Sequence, residues 1–383
     1  MGLRIAVATR IFEPETGAAA YRLAATVRQL EKRGHEVIVY TSRAPGAERS
    51  SPTVRRWPVL RDKTGAVRGY VEYASFDIPL LFRLLLGRAF DVIIVEPPPT
   101  TGLMVRIAAA IRRRPFVYFA ADVSSVAAAG IGVPAPVVLL LRTLERYVLS
   151  AARYVLTVSP GVSDAVVSLT RRPERVVNVG TGVDTRKFSR EGRATPEHGR
   201  YFVYAGTMSE IQGAGVFVDG FLRVMAEFPD VRLIMYGYGV ERDELVDRAV
   251  PAGERISFPG TVDSEFLSSV LRGAVAGLAS VRPAKGYDFA FATKAFVSLS
   301  CGTPVIYAGV GPLKDIVAGE NLGLSVEWDA DEVALAMRQL LTSRRSGSEK
   351  QRLAEWVEDN YSLTRVGDQV AAVVERIHGV SGN

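Results

Sequence analysis

Short apolar runs alternate with amphipathic segments along the first half of the chain. The runs lack polar alternation, and most are followed by a segment with apolar residues at helical spacing, such as residues 18–33. This pattern is typical of parallel strands buried on both faces of a sheet by helices. The predicted strands are residues 3–9, 36–40, 91–95, 116–120, 154–158 and 176–179.

The alternation stops at residues 185–200, which carry no apolar period, and then starts again. We interpret this segment as an interdomain linker. The sequence therefore predicts an α/β protein of two doubly wound Rossmann-like domains facing a central cleft. The predicted bounds are 1–190 and 198–362, with a C-terminal helix within 363–383 packing back toward the first domain. Ligands of such sheets bind at the carboxyl ends of the strands.

Composition supports two ordinary domains and argues against a metal site. The chain has 383 residues, of which 48% are hydrophobic, and Cys301 is its single cysteine. An intrachain disulfide is thus excluded, and the three histidines show no ligand spacing, so no metal and no other cofactor is expected. No secretory leader and no apolar stretch of the ~20 residues that cross a bilayer is seen. These features predict a cytoplasmic protein.

The formal charge of +6 comes mainly from arginine. Two interpretations of this composition are open. The arginines reflect an arginine-rich genome, or they attract anionic substrates or an acidic membrane face. No basic run with interleaved aromatic residues is present, so a nucleic-acid partner is not expected. Residues 78–90 and 107–114 mix apolar residues with arginine. They are interpreted as helices packing on a sheet, or alternatively as a surface resting on an anionic membrane.

Four residues follow predicted strands or begin predicted helices, where a ligand would bind. Gly17 lies after the first strand, where an absent side chain lets backbone N–H groups approach a diphosphate. Asp122 follows the strand 116–120 and is a candidate base for a hydroxyl, or a helix cap. Arg282 follows the strand 275–279, and Lys294 begins a helix. Either cation is suited to stabilise a leaving phosphate.

Five segments occur in the order found in a known enzyme family. They resemble the retaining glycosyltransferases of family 4, which share the GT-B fold. The segments are residues 16–19 (TGAA), 179–184 (VGTGVD) with Phe188, 204–206 (YAG) with 212–213 (QG), 300–305 (SCGTPV) and 319–323 (GENLG). Residues 292–294 (ATK) also resemble a subgroup that builds bacterial surface polysaccharides.

The resemblance implies transfer of a sugar from a nucleotide-sugar donor to an acceptor hydroxyl, with retention and without a metal. It implies a donor site in the second domain and an acceptor site in the first. It permits a lipid-linked acceptor and peripheral contact with the inner face of the membrane. The products would be surface polysaccharides, glycolipids or natural products. Combined with the strand positions, it predicts Asp122, Lys294 and Arg282 as catalytic residues and a donor site of Gly17, Gly206, Thr207, Gln212, Asp288 and Thr293.

The chain departs from the family pattern at four positions. Phe289 and Val297 occupy the places of two glutamates, which in the family contact the donor sugar and ribose. Thr207 and Gln212 replace an arginine and a lysine that face the donor phosphates. A non-catalytic GT-B partner or scaffold with a degenerate donor site therefore remains an alternative, as do a GT-B epimerase or phosphorylase. A dinucleotide-binding dehydrogenase is disfavoured, because residues 9–20 hold one glycine.

Overall fold

The computed structural model describes residues 2–15, 17–44, 51–62, 65, 67, 69–130, 133–195, 199–283, 291–343 and 346–379. The chain divides into two compact units. The first comprises Met1–Thr181 and Leu363–Asn383, and the second comprises Gly182–Ser362. The second unit therefore starts before the predicted linker. A hydrogen bond of 2.8 Å from the Val183 amide to the Tyr361 carbonyl holds the first residues of this unit against its last helix.

The first unit contains a parallel sheet of seven strands in the order β3-β2-β1-β4-β5-β6-β7. The strands are β1 (Arg4–Ala8), β2 (Glu36–Ser42), β3 (Val54–Trp57), β4 (Val92–Val95), β5 (Phe116–Ala120), β6 (Tyr154–Thr157) and β7 (Val176–Asn178). The helices along this part of the chain are α1 (Ala18–Lys32), α2 (Tyr70–Leu86), α3 (Pro99–Arg112), α4 (Ser124–Gly130), α5 (Ala135–Ala151) and α6 (Pro160–Thr170).

The second unit contains a parallel sheet of six strands in the order β10-β9-β8-β11-β12-β13. The strands are β8 (Arg200–Ala205), β9 (Val231–Tyr236), β10 (Ile256–Gly260), β11 (Ala276–Val281), β12 (Val305–Gly309) and β13 (Gly323–Val326). The remaining helices are α7 (Gly215–Val224), α8 (Arg242–Ala249), α9 (Ser264–Gly273), α10 (Lys294–Ser300), α11 (Pro312–Gly319), α12 (Ala330–Thr342), α13 (Gly347–Tyr361) and α14 (Leu363–Gly379).

Both faces of the first sheet are buried, as apolar runs without alternation require. Ile5 and Val7 of β1 face a core built with α1 and α14. Ala6 and Ala8, which alternate with them, face the core built with α2, α3, α5 and α6. The helix α14 thus packs against α1 and completes one layer of the first unit, although the whole second unit precedes it in sequence.

Some elements differ from those the pattern predicts. The helix α3 starts at Pro99, ahead of the predicted helical segment 107–114, because proline lacks an N–H that the first helical turn would leave unpaired anyway. The strand β3 was not predicted. It carries two arginines and pairs only with β2, and such polar edge strands lack a continuous apolar signal. The helix α6 was also not predicted.

Candidate functional site

A pocket of about 420 Å³ lies where three neighbouring strands of the second sheet end. Residues 205–207 follow β8, residues 236–238 follow β9, and residues 261 and 262 follow β10, with Leu267 of α9 closing one side. We call this cavity the strand-end pocket. Its position is the one at which doubly wound sheets bind ligands.

Two glycines allow the strand ends to approach each other. A Cβ on Gly237 would lie 2.1 Å from the Gly206 carbonyl oxygen, and a Cβ on Gly206 would lie 2.9 Å from Lys294 Cε. Gly206 and Gly237 also have φ values of 151° and 120°, which residues with side chains rarely adopt. The backbone of the pocket is therefore exposed to a ligand at a place where any side chain would clash.

Lys294 is held against this backbone by Tyr204. Its Nζ donates a hydrogen bond to Tyr204 Oη at 2.6 Å and lies 4.0 Å from the centre of the tyrosine ring. Tyr204 Oη in turn donates to the Thr207 carbonyl oxygen at 2.6 Å. The chain of donors fixes the amine beside Gly206 and Thr207, so three of the predicted residues are brought together here.

Burial changes the protonation of this group. Lys294 as a whole is half-buried, but its amine is surrounded by the chain, and this desolvation lowers its pKa to about 7. Desolvation also raises the pKa of Tyr204 well above its usual value, and the charge of Glu241 acts in the same direction. Tyr204 therefore stays a neutral phenol that can donate to Thr207. Lys294 is poised to gain a proton when an anion arrives, because an opposite charge favours the charged form.

A second group forms around the turn before α7. The Arg282 amide donates to the Ile211 carbonyl at 2.8 Å, and its guanidinium carbon lies 4.7 Å from the centre of the Trp328 ring. Trp328 Nε1 donates to the Gly213 carbonyl at 2.9 Å. The side-chain oxygen of Gln212 is buried without a partner among the described residues. Arg282 thus lies against the turn that carries Gln212 and precedes α7.

Two of the predicted residues belong to the first unit. Gly17 precedes α1 with a φ of 152°, and the space that its Cβ would fill is open. Asp122 lies just beyond β5. Although it is exposed at the surface, desolvation of its carboxyl group by the surrounding chain raises its pKa, while Arg22 opposes this. Arg22 pairs with the buried Glu96, which follows β4.

The remaining predicted residues are less informative. Asp288 lies outside the described residues, as does Phe289. Thr293 is exposed, and its side chain makes no cap hydrogen bond to α10. Among the residues that the structure describes, no group of three His, Cys, Asp or Glu side chains could hold a metal ion. Cys301 is buried beside Ser268, and burial raises the pKa of its thiol to about 11.

Tyr204 belongs to one of the family-like segments, but the sequence assigns no role to its side chain, and Trp328 lies in none of those segments. Tyr204 lies in an otherwise apolar strand, where an aromatic residue is most often core packing, and Trp328 lies in an acidic turn between Glu327 and Asp329. A weak signal exists in their hydroxyl and indole N–H groups, because such buried groups usually find a partner. The partners themselves, Lys294 and Gly213, are 90 and 115 residues away in the chain. Only folding reveals these pairs.

Two family models match successive parts of the chain. Residues 17–182 match a glycosyl transferase 4-like domain. Residues 199–343 match the glycosyl transferases group 1. The chain belongs to the family 4 type of glycosyltransferases. The two matched regions fall largely within the first and second units respectively, so each sheet corresponds to one half of the family's domain pair.

Characterised relatives of this glycosyltransferase are distant. A phosphatidyl-myo-inositol mannosyltransferase of Mycolicibacterium smegmatis is 26% identical over 207 residues, covering 53% of this chain and 52% of the relative. A GDP-mannose-dependent alpha-(1-6)-phosphatidylinositol dimannoside mannosyltransferase of Mycobacterium tuberculosis is 30% identical over 43% of this chain and 44% of its own. The chain spans only about half the length of these relatives.

Solved structures confirm the GT-B fold. Sucrose-phosphate synthase from Thermosynechococcus elongatus matches with a TM-score of 0.72 and 16% identity over 99% of this chain and 100% of that one. WaaG, a glycosyltransferase involved in lipopolysaccharide biosynthesis, matches with a TM-score of 0.68 and 16% identity over 96% and 99% of the two chains. At these identities the likeness concerns the fold alone.

Proposed function

We propose that the protein transfers a sugar from a nucleoside diphosphate sugar to an acceptor hydroxyl. The observation that carries the proposal is the amine of Lys294, which is fixed by Tyr204 beside the strand-end pocket. Breaking the bond between the sugar and its diphosphate places negative charge on the leaving group. A preorganised cation at that place stabilises the transition state more than the ground state.

The low pKa of Lys294 suits this role. In the empty protein the amine is partly neutral near pH 7, because burial disfavours its charge. A bound diphosphate favours the charged form, so the ligand itself creates the cation that later meets the leaving group. Arg282 is the second cation that we assign to the donor phosphates. The family has an arginine and a lysine at the positions of Thr207 and Gln212. Arg282 supplies positive charge in their place, since it is held against the turn that contains Gln212.

The first unit holds the acceptor in this proposal. Asp122 takes the proton of the attacking hydroxyl, and its raised pKa makes it a stronger base than an ordinary carboxylate. Gly17 presents backbone N–H groups to the donor phosphates at the start of α1. We assign retention of the anomeric configuration because the family models match, and independence from metals because Lys294 and Arg282 supply the positive charge.

The acceptor that we favour is lipid-linked. No helix in the described part of the chain is long and apolar enough to span a bilayer. The first unit nevertheless exposes apolar side chains on two helices that both pack against α3. On α2 these are Tyr70, Val71, Ile78, Phe82 and Leu86, and on α5 they are Leu139, Leu140 and Tyr147. Exposed Arg142 and Arg146 lie on α5 as well. Apolar and cationic groups on one surface are suited to an anionic membrane.

Nucleotide binding tests the transferase proposal. A thermal-shift panel of UDP, GDP, ADP, CMP and dTDP, followed by the matching nucleotide sugars, should identify one stabilising base. A ligand at ~100 times its Kd adds about 2.7 kcal/mol. With the sugar donor so identified, Lys294→Met should lower kcat/KM about 10²-fold. The matched control is Lys314→Met, since Lys314 pairs with Glu327 at the surface of the same unit. Absence of any shift would favour the scaffold alternative.

Vesicle flotation tests the membrane contact. The protein should float with vesicles that contain phosphatidylglycerol and not with pure phosphatidylcholine. Phe82→Ser combined with Leu86→Ser should abolish flotation, because it removes two exposed apolar side chains of α2. Leu335→Ser is the matched control, since Leu335 is an exposed leucine on α12 of the second unit. Equal loss with the control, or flotation independent of the anionic lipid, would argue against this surface.

A further inference from the structure

A second, smaller cavity adjoins the strand-end pocket. Its volume is about 80 Å³, and it shares Ala205 and Leu267 with the larger pocket. Val203, Phe188 and Val297 supply further carbon surface. We call this cavity the apolar pocket. A water molecule takes about 30 Å³ in the liquid, so the space holds two or three groups of methylene size.

The polar groups of the apolar pocket are already engaged. Lys294 donates to Tyr204, and Ser298 Oγ donates to the Thr303 carbonyl at 3.0 Å. Val297 lies three residues after Lys294 in α10, so both side chains share one face of that helix. A ligand whose phosphates reach Lys294 therefore places its neighbouring atoms beside Val297. A hydroxyl at that point loses its water partners and gains little in return.

We propose that the donor presents a deoxygenated ring carbon or methyl group to the apolar pocket, so that a deoxy donor is preferred over its hydroxylated counterpart. The inference rests on the proposed function, because it needs a nucleotide sugar in the strand-end pocket. The group comes from one of two sources. It is the 2′ carbon of a deoxyribonucleotide, or it is the terminal carbon of a 6-deoxyhexose.

The shape of the cavity supports a group of this kind. Its described lining consists mainly of carbon, whereas the strand-end pocket beside it exposes the backbone of two glycines and the side chains of Thr207 and Thr261. The polar parts of a donor therefore have a place of their own in the larger pocket. Val297 is short enough to leave the apolar pocket open. A small apolar group of the donor, next to its polar parts, fills that space.

Paired ligands test the inference, since each pair differs by one hydroxyl. Kd is measured by calorimetry for UDP against dUDP and for GDP against dGDP, then for GDP-mannose against GDP-rhamnose, its 6-deoxy form. A buried unpaired hydroxyl should weaken binding about tenfold. A preference for dUDP or dGDP assigns the ribose ring to the apolar pocket, and a preference for GDP-rhamnose alone assigns the hexose.

Variants at Val297 check that the pocket causes the preference. Val297→Thr keeps the shape and adds a hydroxyl, so it should reduce the ratio of the two Kd values. Val297→Glu should reverse that ratio if the variant folds. The ratio compares two ligands on one protein, so a general loss of stability does not change it. Nucleotides that bind with equal Kd in every pair would overturn the inference and leave the transferase proposal intact. Absence of binding by every nucleotide of the thermal-shift panel would overturn both.

Discussion

Binding of a nucleoside diphosphate should draw a proton from solution onto Lys294. Burial lowers the pKa of this amine from 10.5 to about 7. That change corresponds to roughly 5 kcal/mol in favour of the neutral form. One phosphate charge at ~4 Å restores about 4 kcal/mol at an effective dielectric constant of ~20, and a diphosphate carries more than one charge. The complex should therefore hold a fully charged lysine.

Calorimetry at pH 8 measures this uptake. At that pH about ten of eleven free molecules carry neutral Lys294 if the pKa is ~7, so binding should take up ~0.9 proton. The uptake is the slope of the observed enthalpy against the ionisation enthalpy of the buffer, with HEPES, TAPS and Tris as a series. The diphosphate itself is fully ionised at pH 8, since its last pKa is near ~6.

Lys294→Arg is the control, because arginine keeps its charge at every pH used. Its uptake should be close to zero while affinity is largely retained. In the wild-type protein Kd should rise as pH increases above 7, by up to about tenfold per unit, because the neutral amine must first be protonated. Wild-type uptake near zero, or equal uptake in the arginine variant, would refute the reasoning that links burial to charge.

Three further outcomes follow from the geometry. Lys294→Met should raise the melting temperature of the ligand-free protein at pH 7 by several degrees in calorimetry. The amine is protonated in the unfolded chain and loses part of that charge on burial, so it lowers the stability of the fold at every pH below its unfolded pKa. A decrease in melting temperature would contradict this. Gly237→Ala should destabilise the protein by about 1–3 kcal/mol in urea unfolding, since its Cβ would meet the Gly206 carbonyl at 2.1 Å; the control is Gly319→Ala, where the space is open. Asp122→Asn should remove transfer to the acceptor without changing the nucleotide Kd. In the wild-type protein kcat/KM should fall as pH decreases through the raised pKa of Asp122, because the base is then protonated. Unchanged turnover in the variant would exclude this base.

The fold followed from the sequence because its cause is local and repeated. Apolar runs such as residues 91–95 signal buried strands without reference to the rest of the chain. The edge strand β3 did not follow, because pairing with β2 and not burial holds it in place. In the candidate site, Lys294 was chosen from its position at a predicted helix start, and α10 begins there. The lowered pKa of its amine could not be predicted from the sequence, because it depends on burial that only the folded chain creates.

The departures from the family pattern show the same limit. Thr207 and Gln212 indicated a loss of positive charge when considered in sequence alone. The structure places Arg282 against the turn that carries Gln212, through the Ile211 carbonyl. Proximity between positions 212 and 282 depends on how β8 and β11 pair in the sheet. The sequence therefore shows that a cation is missing at positions 207 and 212. Only the pairing of the strands shows that the cation Arg282 lies nearby.

The return of the chain to the first unit has a consequence for how the protein is made. The helix α14 supplies Val366, Val370 and Val374 to the core that also contains Leu23 of α1. Synthesis on the ribosome proceeds from the N-terminus, so the second unit, a continuous stretch, can finish folding while the first still lacks this helix. The apolar face of α1 stays uncovered until α14 emerges. A chain released before α14 is made should therefore be a substrate for chaperones or proteases.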